Sequence, residues 1–328
     1  MPTVAGKPVG PVGFGLMGFT WTPTPTPYEE AFEVMKSALG AGANLWNGGE
    51  LYGTPDANSL HLLKAYFTKY PEDADKVVLS IKGCVGPNGC DSSPAGVRRS
   101  VENCVRILDG TKGIDIFEAA RIDKKVPIEE TMRTFCELKD EGKIGGIGLS
   151  EVSAATIRRA AAVAPIAAVE VELSLWCTDP MENGILSACT EFGIPLVAYS
   201  PLGRGFLTGQ IRTADDLPEG DMRRQYPRFQ PGAFEINLRL VDALRQVSQR
   251  KKVALSQVAI AWAIAQANES KGSSIIPIPG SRSKGRAVEN STVIELKEEE
   301  LQEIQAILSK FNVQGERYPS HLMQLSDV

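Results

Sequence analysis

Short apolar runs alternate eight times with longer segments in which apolar residues recur every three to four positions. A chain patterned this way stacks strands under helices, so it belongs to the α/β class. The strand-like runs cover residues 12–14, 44–46, 77–81, 114–117, 144–149, 167–173, 195–199 and 274–278. Between them lie helical stripes. Ala31, Phe32, Met35, Ala38 and Leu39 form one, opened by Thr26-Pro27 and ended by Gly40 and Gly42. Val97, Val101, Cys104, Val105 and Leu108 form a second; Ile128, Met132, Phe135 and Leu138 form a third, closed by Gly142. Ser153 opens a fourth, and further helices are expected over 184–192, 234–250 and 256–267 and near Arg286.

Eight strand-then-helix units are the arithmetic of a (β/α)8 TIM barrel, and 328 residues suit one with insertions. No Pro/Ser-rich linker or internal repeat divides the chain, so residues 1–328 are read as one domain. Two features lie outside the count. Residues 200–231, rich in Gly, Pro and charge, are too long for a passive connection and are read as a lid. Residues 296–311 are read as an extra C-terminal helix.

Composition narrows the partners. A net charge of −5 gives no general attraction for nucleic acid or an anionic membrane. No signal-peptide core or bilayer-length run occurs, which points to the cytoplasm, with the nucleus also open. Six scattered cysteines and two distant histidines, His61 and His321, have no metal-ligand spacing, so no metal is assigned.

In such a barrel the loops after the strands build the site. Asn47, Tyr52, Lys82, Ala120, Ser150, Glu170, Tyr199 and Gly280 all fall at or just past expected strand ends, and they should meet on one rim. Tyr52 offers a phenol with an ordinary pKa of about 10, and a phenol becomes a better proton donor beside a cation. Lys82 ends the next strand and can supply that charge. Gly13-Phe14-Gly15-Leu16-Met17-Gly18 spells a dinucleotide fingerprint, but the prolines at 23, 25 and 27 prevent a helix from opening behind it. It reads better as a flexible first loop.

Along nearly its whole length the chain resembles the aldo-keto reductases, NADP(H)-dependent barrels that reduce aldehydes and ketones. The resemblance is carried by residues 13–18, the Tyr52 loop, Ile81-Lys82-Gly83, and residues 114–127, 146–151, 197–209 and 275–290. It implies a hydride passing from nicotinamide to a carbonyl carbon while Tyr52 protonates the oxygen and Lys82 tunes it. Ser150 matches the serine that binds the carboxamide, and Glu170, standing where glutamine is usual, can still accept the amide N–H as a cofactor contact. Tyr199 matches the aromatic under the nicotinamide, although a buried strand-end tyrosine would read the same. Ser200, Leu202, Gly203 and Gly205 match the pyrophosphate loop. Ser281, Arg282 and Arg286, with Glu289 and Asn290 behind them, match the adenosine 2′-phosphate site, which selects NADPH; a solvated basic turn is the alternative.

Two positions depart from the family pattern. Asn47 replaces the aspartate that pairs with the lysine, which is expected to leave Lys82 hydrogen-bonded but not neutralised and so to favour phenolate at Tyr52. Ala120 replaces the histidine that contacts the substrate carbonyl, opening room for a bulkier ring. Trp46-Asn47-Gly48-Gly49-Glu50 together with Ala120-Arg121-Ile122-Asp123 is similar to the pyridoxal reductases of fungi. Trp46, Ala120 and Arg121 are then substrate contacts, and pyridoxal, with a hydroxyl ortho to its aldehyde, is the expected substrate. Arg121 could equally be an ion-pair partner of Asp123 or Glu50. Two alternatives stand: another aromatic or secondary-metabolite aldehyde or ketone, and a cofactor-binding regulatory barrel resembling ion-channel β-subunits.

Overall fold

In a computed structural model, which describes residues 1–86, 89–267 and 274–327, the chain folds as a parallel eight-stranded barrel wrapped in helices. The strands are β1 (Phe14–Gly15), β2 (Leu45–Gly49), β3 (Val78–Gly83), β4 (Ile114–Ala119), β5 (Ile144–Ser150), β6 (Ala168–Glu172), β7 (Leu196–Tyr199) and β8 (Ile275–Pro277). Each pairs in parallel with its sequence neighbour. The ring closes where Gly13 N–H donates to the Pro277 carbonyl at 2.8 Å and Gly15 bridges Gly280. A Cβ at Gly280 would lie 2.9 Å from the Gly15 carbonyl oxygen, so the seam depends on glycine.

The crossovers are α1 (Tyr28–Gly40), α2 (Ser59–Lys69), α3 (Pro94–Leu108), α4 (Ile128–Asp140), α5 (Ala154–Ala161), α6 (Ile185–Glu191), α7 (Ala233–Lys251) and α8 (Leu255–Ala265). Beyond β8 come α9 (Lys284–Ser291) and α10 (Glu298–Leu308). The expected stripes mostly face inward: Val97, Val101, Cys104 and Leu108 on α3 and Ile128, Met132, Phe135 and Leu138 on α4 are buried, while Val105, expected with the α3 stripe, is exposed. Ser93 and Ser153 accept from the Gly96 and Thr156 amides and so cap α3 and α5. The first crossover helix starts one residue past Pro27, which takes the cap position without a side-chain bond.

Strand alternation sorts the interior into two layers. Leu45, Val78, Ile116, Ala168, Val197 and Ile276 point into the bottom of the barrel, where Val4 and Val9 of an N-terminal hairpin plug it. Two residues further along the same strands the inward positions turn polar: Asn47, Ser80, Glu118 and Glu170, all buried. Alternate residues face the helices. Trp46 is one of these. It is fully buried, meets Tyr66 edge-on at 5.0 Å, stacks on Phe67 at 5.9 Å and donates from Nε1 to the Ala43 carbonyl. The expectation that Trp46 touches substrate is therefore wrong, because a strand cannot send Trp46 and Asn47 to the same side.

The long loop after β7 is a set of short 3-10 turns packed on an aromatic cluster. Phe206 stacks on Trp176 at 4.4 Å and meets Phe229 and Phe234 edge-on. The segment after α10 crosses back over the barrel mouth, where Asp327 N–H donates to the Glu151 carbonyl at 3.1 Å.

Trp46→Ala should cost about 3–5 kcal/mol in chemical denaturation through the cavity it leaves. A cost below about 1 kcal/mol, or an effect on aldehyde KM alone, would return Trp46 to the substrate site.

Candidate active site

Tyr52 reaches the mouth because the chain turns sharply after β2. Ser59 Oγ both accepts from the Gly49 amide at 2.8 Å and donates to its carbonyl at 2.9 Å, which fixes the turn to the start of α2. Gly53 then takes a positive φ of 128°, where a Cβ would lie 2.4 Å from the Ala57 carbonyl oxygen. Thr20 donates to the Tyr52 carbonyl and Trp21 stacks on its ring at 5.7 Å, leaving Tyr52 as a residue 8% exposed.

Lys82, at the inner face of β3, donates from Nζ to Tyr52 Oη at 3.2 Å. Its Nζ also lies 5.3 Å from the centre of the Tyr199 ring. The ammonium does have a counter-ion. Glu170, across the barrel on β6, forms a short ion pair with it through Oε1. Asn47 does not bond the lysine; its Nδ2 donates to Glu170 Oε2 at 2.7 Å and to Glu118 Oε1 at 3.4 Å. A negative partner for Lys82 is thus supplied from position 170 instead of 47, and the expectation of an unneutralised lysine is corrected.

That pairing sets the protonation states. Burial alone would depress the Lys82 ammonium, but the adjacent Glu170 carries it above its ordinary 10.5. Burial raises the Tyr52 phenol; Lys82 opposes, Glu170 and Glu118 add to the rise, and the result lies above 10. Tyr52 is a neutral phenol at physiological pH, contrary to the phenolate expected from sequence. Burial and then the neighbouring Glu170 hold Glu118 well above 4.5.

Around this centre lie the other expected residues. Ser150, at the end of β5, has a fully buried Oγ with no hydrogen-bond partner. Tyr199 donates to Glu151 Oε1 at 2.9 Å, and its oxygen lies 2.9 Å from that of Tyr318. Glu151 also binds Arg317 at 3.0 Å and Ser326 at 2.6 Å. Its burial works upward, but Arg317 pulls the carboxyl down to about 2. Ser200, Leu202, Gly203 and Gly205 form the turn leaving β7. There Ser200 and both glycines have positive φ, and a Cβ at Gly203 would lie 2.7 Å from the Trp176 ring. Ser281, Arg282 and Arg286 lie at the start of α9. Lys284 is paired with Glu33, while Arg282 and Arg286 make no ion pair among the described residues. Glu289 accepts from Ser256 at 2.9 Å, and Asn290 is buried behind it.

Ala120 is buried at the end of β4, its amide bound to the Gly83 carbonyl. Arg121 donates to the Ala120 carbonyl and lies 6.0 Å from the Tyr318 ring. It pairs with neither suggested acid: Glu50 accepts from Ser100 and Asn103, and Asp123 from the Lys125 amide. Sequence reading missed Glu118, Glu172, Arg204, Arg317 and Tyr318. Arg204 and Arg317 hold the buried Glu172 at 3.1 and 3.4 Å, and Arg204 lies 4.5 Å from the Tyr318 ring centre. The two carboxylates could have been found: each interrupts an apolar strand at an inward position.

Comparison with known proteins agrees with this geometry. The chain matches the Aldo/keto reductase family over residues 11–309. It is 44% identical to a "Probable pyridoxal reductase 2" of Schizosaccharomyces pombe, with 98% of each chain covered. A Saccharomyces cerevisiae protein with a provisional assignment as a pyridoxal reductase is 36% identical over 93% of this chain and 95% of its own. In fold it resembles a glycerol dehydrogenase from Gluconobacter oxydans, with a TM-score of 0.82, 24% identity and 94% of each chain covered. The extent of the family match, with two relatives well above 30% identity over nearly their full lengths, makes this chain a member of the aldo/keto reductase family.

Proposed function

We propose that the protein reduces the aldehyde of pyridoxal to an alcohol with NADPH. The observation that carries this reading is the 3.2 Å contact from Lys82 Nζ to a buried, neutral Tyr52 at the barrel mouth. A phenol so held can give up a proton only as negative charge develops on an oxygen beside it. The similarity to a probable pyridoxal reductase at 44% identity supports the choice of aldehyde.

The residues present suit a nicotinamide cofactor. The unpartnered Ser150 Oγ is a ready hydrogen-bonding group for a carboxamide. Tyr199 offers a ring at the mouth, and the turn through Ser200, Leu202, Gly203 and Gly205 suits close backbone approach by a pyrophosphate. Ser281, Arg282 and Arg286 at a helix start suit a 2′-phosphate, with Glu289 and Asn290 further along the same helix. The nicotinamide, when bound, supplies the hydride that adds to the carbonyl carbon.

The chain's own groups do the rest. Tyr52 transfers its proton to the carbonyl oxygen as that oxygen gains charge. Lys82 stabilises the phenolate left behind, and Glu170 keeps the lysine charged and aimed. Ala120 contributes no donor to the carbonyl, so the substrate's ortho hydroxyl takes that part. Arg121, a guanidinium with no acid partner among the described residues, can donate to the oxygen of that hydroxyl and leave its proton for the carbonyl.

Tyr52→Phe should lower kcat with pyridoxal and NADPH by about 10²-fold or more while NADPH still quenches protein fluorescence. Unchanged turnover would refute the role of the phenol. NADPH oxidation absent for pyridoxal and every other carbonyl tested would favour the regulatory barrel. Replacing Arg282 and Arg286 together with alanine should raise the KM for NADPH about tenfold or more and leave that for NADH within about twofold. An equal effect on both cofactors would contradict a 2′-phosphate site.

A further inference from the structure

The barrel interior holds more acid than its lysine needs. Asn47 comes from β2, Ser80 and Lys82 from β3, Glu118 from β4, Gly148 and Ser150 from β5, Glu170 from β6 and Tyr199 from β7, with Tyr52 above. Beneath them lie the apolar Leu45, Val78, Ile116, Ala168, Val197 and Ile276, closed off by Val4 and Val9. Among the described residues of this layer Lys82 is the one cation, while Glu118 and Glu170 are each 1% exposed. Two carboxylates facing one ammonium in a water-poor cavity would leave a net negative charge there. Retaining one proton removes it at far lower cost.

The hydrogen bonds fit one shared proton. The Asn47 amide nitrogen reaches both carboxyls, at 2.7 Å to Glu170 and 3.4 Å to Glu118, and holds them side by side. Ser80 Oγ donates to Glu118 Oε1 at 3.3 Å, and Glu170 adds to the burial that keeps a proton on Glu118. An aspartate at position 47 would have added a third acid and removed the donor that joins these two. Asparagine at 47 and glutamate at 118 and 170 therefore form one arrangement.

We infer that Glu118 and Glu170 are a carboxyl pair sharing one proton beneath Lys82, and that this proton resupplies Tyr52 after each turnover. The step rests on the reading of Tyr52 as the proton donor. Once the Tyr52 O–H bond has broken and the alcohol O–H has formed, the phenolate takes a proton from Lys82 Nζ. Glu170 takes the shared proton from Glu118 and passes it to the lysine amine. Only protons move: the alcohol gains one, Glu118 loses one and ends as a carboxylate, and water at the mouth restores it before the next cycle. Glu118 touches neither cofactor nor aldehyde in this scheme and acts through Glu170 and Lys82.

Infrared difference spectroscopy of the whole protein at neutral pH reads the stored proton directly. Wild type minus Glu118→Gln should show the carbonyl stretch of a protonated carboxyl group. Glu170→Gln, which leaves one acid to balance the one ammonium, should remove that band as well. No such band, or one that Glu170→Gln leaves in place, would overturn the shared proton whatever the turnover. Stability supplies a second reading. A folded carboxyl that keeps its proton above 4.5, where the unfolded chain loses it, lowers wild-type stability progressively as pH rises. The melting temperature of Glu118→Gln minus that of wild type should therefore grow with pH from 4.5 upward, and a pH-independent difference would contradict the pair. In turnover, Glu118→Gln should lower kcat about tenfold with aldehyde KM unchanged and abolish the alkaline fall of the wild-type profile. A wild-type profile retained in the variant would sink the relay. If wild type reduced no carbonyl at all, the functional reading would fail, and the infrared band would still decide the pair.

Discussion

A buried ammonium has to be neutralised where it stands, and this requirement at Lys82 organises the upper half of the barrel. Lys82 is 5% exposed, so an unpaired charge there would cost several kcal/mol. The answer lies across the barrel in Glu170, steered by Asn47 from a third strand. With its charge so matched, the lysine can sit within 3.2 Å of Tyr52 without ionising it. The same groups that balance the charge thus keep a proton on the phenol.

The mouth shows a second balance, of opposite sign. Arg204 and Arg317 hold Glu151 and Glu172, while Arg121 has no acid of its own among the described residues. Tyr318 lies against three of these guanidiniums and touches Tyr199. The C-terminal segment is therefore part of the rim, joined to β5 by the bonds of Arg317, Ser326 and Asp327 to Glu151.

Much of the architecture was legible in the sequence because helix and strand periods differ, and eight alternations leave few folds. The residues at strand ends were found for the same reason: in a parallel barrel those ends share one rim. Partnerships were not legible. Lys82 and Glu170 are 88 positions apart, and Arg317 and Glu151 are 166 apart, so no spacing rule links them. Substituting Asn47 for a family aspartate suggested a lost counter-ion, yet the charge had moved to another strand. Trp46 failed differently. Adjacent strand residues face opposite sides, so the parity that sends Asn47 inward already sends Trp46 to the helices.

The account turns on whether a lysine beside Tyr52, matched by Glu170, leaves the phenol protonated. An ultraviolet difference titration of wild type minus Tyr52→Phe isolates that one group. The account predicts no phenolate absorbance from Tyr52 until the pH exceeds 10. A phenolate appearing at about pH 7–8 would mean that Lys82 acts as an unneutralised cation, and the assignment of its counter-ion would be wrong.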